Sequence, residues 1–348
     1  MWVASCTKLV TAVAVLQCVE KGLLNLDEEI ATVLTEWRER SILLGFDDAS
    51  GEPLLEKANG PITLRMLLTH QSGLGYAFIR PELKRFVEHR EAAGELKSEH
   101  IADKYFLPLL FEPGSSWEYG VGADWAGRMV ERVTNQNLGA YMQEYIFDPL
   151  GMDSTTFRLR DRLDIKTRRA DMTKRQDDGS LTLGENTYFS DNEPDDHGGG
   201  GLFSSARDYL RFLSAVLKHD EKLLNQASFK LLFAPCLLPA PAEAFQDARS
   251  AQHRERDDGH MAIPAPEQVD FALGGMVTLK DVPGGRKAGS LSWGGLPNLS
   301  WLVDRDSGMA IFFASQTLPP GDKISGRIIR RLEAAVYSGE FFKGALRM

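Results

Sequence analysis

Apolar and polar positions divide the chain into a long helical part and a shorter strand-rich part. Between residues 9 and 19 almost every position is apolar and Gly22 stops the run, which predicts a helix apolar all round and the most buried of the fold. Asn25, Asp27, Glu28 and Glu29 supply a cap and first-turn acids for a short helix to Leu34, whereas 45–60 has no period and reads as loop. Residues 61–70 read as a capped, mostly apolar helix broken by Gln71-Ser72-Gly73-Leu74-Gly75. Helical period with heavy charge over 81–92 and 98–106 predicts solvated helices of an inserted subdomain. A turn-rich stretch from Phe111 to Gly122 ends in aromatics and leads into helices over 123–134 and 138–147. Asp177-Asp178-Gly179-Ser180 between 172–175 and 181–183 is a modest hairpin signal, and Ser205 caps a helix to Leu217. The stretch 235–267, rich in Ala, Pro, Asp and Arg, predicts a long mobile loop or lid. From Val269 the period becomes two, predicting strands over 269–280, 286–293, 299–304 and 309–315 and then a closing helix over 322–337. The expected class is α+β: an antiparallel sheet packed against helices with an inserted, mostly helical subdomain.

Composition narrows the function more than the fold. With 348 residues, 43% hydrophobic and 26% charged, the chain is globular, and its net charge of −9 argues against a nucleic-acid partner. Cys6, Cys18 and Cys236 are odd in number and scattered, which fits reduced thiols in the cytoplasm and neither a disulfide framework nor a zinc site. Lys8 and the apolar run imitate a secretory signal, but no small-x-small cleavage site follows, and about 11 apolar residues are too few to span a bilayer. No membrane role is expected, and His253 and His260 lack metal-ligand spacing.

Candidate chemistry lies at the start of the long apolar helix. Ser5 and Lys8 are one turn apart, so a helix places the amine beside the hydroxyl, with the unpaired N–H groups of the helix N-terminus nearby. By itself this pattern also describes a capping serine and a solvated lysine. His70 reads as structural, and Gly198 to Gly201 after His197 fit either close approach to a ligand or a flexible turn.

Taken in order, these stretches resemble the serine β-lactamase and penicillin-binding-protein superfamily in its esterase and transesterase branch. Ser5-Cys6-Thr7-Lys8 is similar to the S-x-x-K nucleophile motif, and Leu67 to Leu74 to the turn that follows it. Tyr119-Gly120-Val121 stands at the Y-x-N or Y-S tyrosine, Gly198 to Phe203 with Asp208-Tyr209 at the glycine-rich segment, and Ser292-Trp293-Gly294-Gly295-Leu296 at the K-T-G strand. Trp293 offers no cation to a β-lactam carboxylate, so β-lactam hydrolysis is not expected. Trp-Gly-Gly is instead similar to family carboxylesterases and to fungal acyltransferases of the lovastatin-synthesis type.

The resemblance implies three parts: 1–70 with the nucleophile helix and the start of the α/β core, 71–267 as the helical insert with the tyrosine motif and lid-like loop, and 268–348 with the strands and closing helix. Family members place a helix and two strands before the nucleophile helix, whereas this chain starts four residues before Ser5. The apolar strand 309–314 is therefore expected to be an open edge, with the start assigned too late or the chain a shortened relative.

The implied reaction is acyl transfer from a thioester or ester to an alcohol of a small secondary metabolite through an acyl-Ser5 intermediate, without a cofactor. Lys8 takes the Ser5 proton as a neutral amine, Tyr119 shares it and returns it to the leaving group, and the N–H groups of Ser5 and Leu296 form the oxyanion hole. Tyr76, Phe78, Tyr188, Phe203, Trp293 and Trp301, with Gly294 and Gly295, are candidates for the substrate wall. An acidic acyl carrier domain would dock on the basic helix 80–90. The other classes are a carboxylesterase and a non-catalytic binding protein.

Overall fold

The computed structural model describes residues 1–96, 98–185, 189–190, 192–255 and 268–339. A short 3-10 turn, Ala4–Cys6, opens into α1 (Thr7–Glu20), in which every residue from Thr7 to Cys18 is buried. A helix apolar on all sides is stable only inside a core, where each fully buried Val or Leu contributes about 1.5–3 kcal/mol.

Several expectations in the first hundred residues are corrected. The stretch 25–34 forms a 3-10 turn (Ile30–Thr32), followed by another (Thr35–Arg38), instead of an α-helix, because its polar side chains bond to nearby backbone: Asn25 Oδ1 accepts from the Asp27 N–H at 3.0 Å and Glu29 Oε1 from the Ala31 N–H at 3.4 Å. The expected loop holds an antiparallel hairpin, β1 (Ser41–Phe46) and β2 (Pro53–Lys57), whose register shifts between Leu43 and Gly45 and so hides the alternation. The helix expected over 61–70 is confined to Leu64–Leu68, capped by Thr63, and that over 98–106 to Ile101–Lys104. The charged helix α2 (Pro81–Ala92) forms as expected.

Helix α3 (Gly122–Thr134) packs on α1. The short strands β3 (Thr173–Arg175) and β4 (Leu181–Leu183) pair antiparallel, followed by α4 (Ala206–Lys218), capped by Ser205, and α5 (Gln226–Phe233). The stretch expected as a lid is helical over α6 (Pro239–Glu255), and Phe245 on it is fully buried. Its remainder, 256–267, lies outside the described residues.

The main sheet is a five-stranded antiparallel meander: β5 (Val269–Ala272), β6 (Gly275–Thr278), β7 (Leu291–Gly295), β8 (Leu299–Asp304) and β9 (Met309–Phe313). The single strand expected over 269–280 is thus a tight hairpin, and Gly275 takes a φ of 152°, which a side chain disfavours. At the edge lies β9, its five residues half-buried, with α4 packed against it. A further strand, β10 (Thr317–Leu318), runs parallel to β3, and α7 (Lys323–Tyr337) closes the chain. Arg286 ties α7 to the sheet through Glu333 at 2.7 Å. Among the described residues no helix is long and apolar enough to cross a membrane.

Candidate active site

The 3-10 turn that carries Ser5 is held from several sides. Ala4 has a φ of 46°, a strained conformation for a residue with a side chain. Thr7 Oγ1 donates to the Ala4 carbonyl at 2.6 Å and accepts the Leu202 N–H at 3.1 Å, while the Tyr209 hydroxyl donates to the Cys6 carbonyl at 2.8 Å. The end of β7 presses on the same turn, and a Cβ at Gly295 would lie 2.6 Å from the Val3 carbonyl oxygen.

Lys8 lies buried beneath Ser5 and uses three donor directions. Its Nζ meets Ser5 Oγ at 3.2 Å, the Tyr76 hydroxyl at 3.0 Å and the Gly199 carbonyl at 2.7 Å. The same Gly199 peptide donates its N–H to Asp124 Oδ1 at 2.9 Å, so a buried carboxylate holds the far side of the lysine's acceptor. A Cβ at Gly199 would collide with Asp124, so the backbone there approaches a buried side chain of the protein itself. Burial pushes the Asp124 carboxyl up, and the charges of His197 and Lys8 oppose this.

The two tyrosines divide differently from expectation. Tyr76, expected as wall, bonds directly to Lys8, and burial holds its hydroxyl well above the ordinary range, with Asp124 and Tyr119 adding to the effect. Tyr119 covers the amine with its ring, at 4.7 Å from Nζ to the centroid, and its hydroxyl accepts from Trp293 Nε1 at 3.2 Å.

His70 braces the Tyr119 loop: its carbonyl accepts the Glu118 N–H at 3.0 Å and its Nδ1 the Gly120 N–H at 3.3 Å. Burial, helped by the Lys8 charge, pushes the imidazole well below its usual range, leaving Nδ1 free to accept. Neither His70 nor Asp124 carries a sequence signal for this use, because both act through backbone groups.

The remaining candidates separate. Leu296 follows β7 and packs with Trp2, Ala4 and Phe203, beside the Ser5 turn. The adjoining turn is fixed by Asn298, whose Nδ2 reaches the Thr317 and Pro319 carbonyls at 2.7 and 2.9 Å. Phe203 and Trp301 are fully buried, whereas Phe78 is exposed and its ring lies 4.8 Å from that of Tyr76. Tyr188 lies outside the described residues. Trp293 joins an aromatic wall with Tyr119, Phe271, Trp117 and Phe245, in which the Trp117 and Phe245 rings are 4.8 Å apart.

Residues 2–335 match the beta-lactamase family, to which the chain therefore belongs. The monacolin J acid methylbutanoyltransferase of Aspergillus terreus is 38% identical over 341 residues, spanning 96% of this chain and 81% of the relative. The lovastatin esterase of Penicillium rubens is 36% identical over 325 residues, spanning 92% and 80%. Unliganded simvastatin synthase from Aspergillus terreus superposes with a TM-score of 0.89 at 37% identity, over 97% of this chain and 83% of that one. The fold is thus β-lactamase-like α+β, and the chain is a serine acyltransferase or esterase acting on small-molecule substrates.

Proposed function

We propose that Ser5 is the nucleophile of an acyltransferase that esterifies an alcohol on an apolar, carboxylate-bearing polyketide. The contact of 3.2 Å between the buried Lys8 Nζ and Ser5 Oγ carries this reading. Ser5 Oγ attacks the thioester or ester carbonyl while its proton passes to the Lys8 amine. The tetrahedral oxyanion lies between the N–H groups of Ser5 and Leu296. As the intermediate collapses, the bond to the leaving thiol or alcohol breaks and the proton returns to it by way of Tyr119. The acceptor hydroxyl then repeats these steps in reverse, giving the new ester and free Ser5. Tyr76 keeps the Lys8 amine directed at Ser5, and Trp293 fixes the Tyr119 hydroxyl.

The acceptor class is supported by the acid named for the Aspergillus terreus relative and by the aromatic wall beside Tyr119. The free thiols Cys6, Cys18 and Cys236 support a cytoplasmic location. A carrier domain would dock on α2, where Lys84 and Arg85 face outward and Arg80 is engaged by Glu118 at 3.0 Å. A second reading, hydrolysis, is favoured by the esterase among the relatives.

The two readings are separated by supplying a 2-methylbutanoyl thioester with monacolin J acid and quantifying ester against free 2-methylbutanoic acid. Ester in excess supports transfer. Free acid alone, at all acceptor concentrations, leaves the esterase.

A further inference from the structure

Helix α6 presents one buried face, made by Pro241, Phe245 and Arg249 at successive turns, while Glu243 and Asp247 point to solvent. Phe245 sets the direction of that face, because its ring packs on Trp117 at 4.8 Å and on Phe271 at 5.7 Å. Arg249, one turn on, is only 5% exposed. Arginines buried to this extent are ordinarily paired with carboxylates. Among the described residues no carboxylate forms an ion pair with Arg249, and its Nε has no acceptor. Burial alone lowers its pKa, to about 10, with no opposite charge acting against it.

A second donor without an acceptor, Trp117 Nε1, belongs to the same wall. The Trp117 ring stacks on Tyr119 at 6.4 Å, and Tyr119 covers Lys8. A chain of ring contacts therefore runs from Tyr119, over Lys8, through Trp117 to the fully buried Phe245, with Arg249 one helical turn, about 6 Å, beyond.

We propose that Arg249 is the seat for a carboxylate on the acyl acceptor, with Trp117 Nε1 donating to an oxygen of the acceptor along the way. A guanidinium presents a planar fork that matches a carboxylate bidentately, and a single cation among aromatics suits a ligand with one negative charge and an apolar body. Arg249 thereby sets specificity: it selects an acid acceptor over its ester and holds the acceptor hydroxyl end toward Ser5. The inference rests on the acyl-transfer reading of Ser5.

The test uses monacolin J acid and its methyl ester as paired probes, titrated calorimetrically into the full chain carrying Ser5→Ala. The expected result is that the acid binds roughly 10–100-fold more tightly than the ester, that Arg249→Met removes the difference, and that Arg249→Lys restores part of it. Acyl-Ser5 formation from a small thioester is followed alongside in the unsubstituted enzyme. Equal binding of acid and ester with Arg249 in place, no binding of either, or an unchanged preference in Arg249→Met would overturn the proposal. Should Arg249→Met fail to fold by circular dichroism, Arg249→Gln takes its place in the same comparison. If the unsubstituted enzyme forms no acyl-Ser5, the acyl-transfer reading fails, and the binding titration still decides the role of Arg249.

Discussion

The two ends of the aromatic wall are built on opposite principles. At the Ser5 end the groups around the nucleophile are bonded to protein: Lys8 has three acceptors, the Gly199 peptide joins Lys8 to Asp124, and His70 holds the amides on both sides of Tyr119. At the Arg249 end, two buried donors lack acceptors among the described residues. Groups that must act at a fixed distance from a reacting atom gain from being fully bonded, since their geometry is then set before substrate arrives. A donor left without a partner at a buried position destabilises the fold, by about 1–3 kcal/mol, and a ligand that supplied the acceptor would remove that cost.

The largest effect should come from the Ser5 end. Ser5→Ala is expected to lower ester formation by roughly 10³–10⁶-fold, read by chromatographic assay with a thioester donor. Next come the two tyrosines, and here the comparison is sharpened: Tyr76→Phe removes a hydrogen bond to Lys8, whereas Tyr119→Phe removes a hydroxyl held by Trp293. If Tyr119 returns the proton, Tyr119→Phe should lower kcat by about 10²–10⁴-fold and Tyr76→Phe by less. The reverse order would move that role to Tyr76.

At the Arg249 end, stability is the more telling readout. Phe245→Ala should cost about 3–5 kcal/mol in denaturant unfolding, because a fully buried ring is lost from the contact of α6 with the wall. Arg249→Met, one turn away, should instead raise stability by about 1–3 kcal/mol while removing the preference for an acid. The opposite signs for neighbouring positions on one face would distinguish a residue kept for packing from one kept for binding.

A smaller effect concerns pH. His70 is held well below the usual 6.5 in the folded chain, so below that pH the unfolded chain takes up a proton that the folded one refuses. Stability should therefore fall as pH drops below 6.5, by up to about 1.4 kcal/mol per pH unit from this group, and His70→Gln should flatten that slope. Smallest of all, Lys84→Gln with Arg85→Gln should weaken transfer from a carrier-bound acyl group about two- to fivefold and leave small thioesters unaffected. Equal effects on both donors would exclude α2 as the dock.

Strongly periodic segments were legible in the sequence: α1, α3, the meander and the closing helix follow from uniform apolarity, a 3.6-residue period and alternation. Ser5 and Lys8 were legible through the resemblance that the later motifs carry, since their spacing alone also describes a capping serine and a solvated lysine. Helix α6 was hidden by its prolines and alanines, and it becomes a wall only through Phe245 meeting Trp117 and Phe271, residues distant in the chain. The hairpin at Leu273-Gly274 was hidden because apolar residues continue through the turn. The bond from Tyr76 to Lys8 and the Gly199 bridge to Asp124 were not legible at all. They depend on where separate loops and backbone carbonyls come to rest, which no local period encodes.

The most direct test of the central claim, that Ser5 carries the acyl group, is intact-mass spectrometry of the full chain after brief exposure to a 2-methylbutanoyl thioester, with Ser5→Ala alongside. The expected result is a single acyl increment on the unsubstituted chain, absent from Ser5→Ala and discharged when an alcohol acceptor is added. An increment that persists in Ser5→Ala, or none on a folded chain that still turns over the thioester, would contradict it.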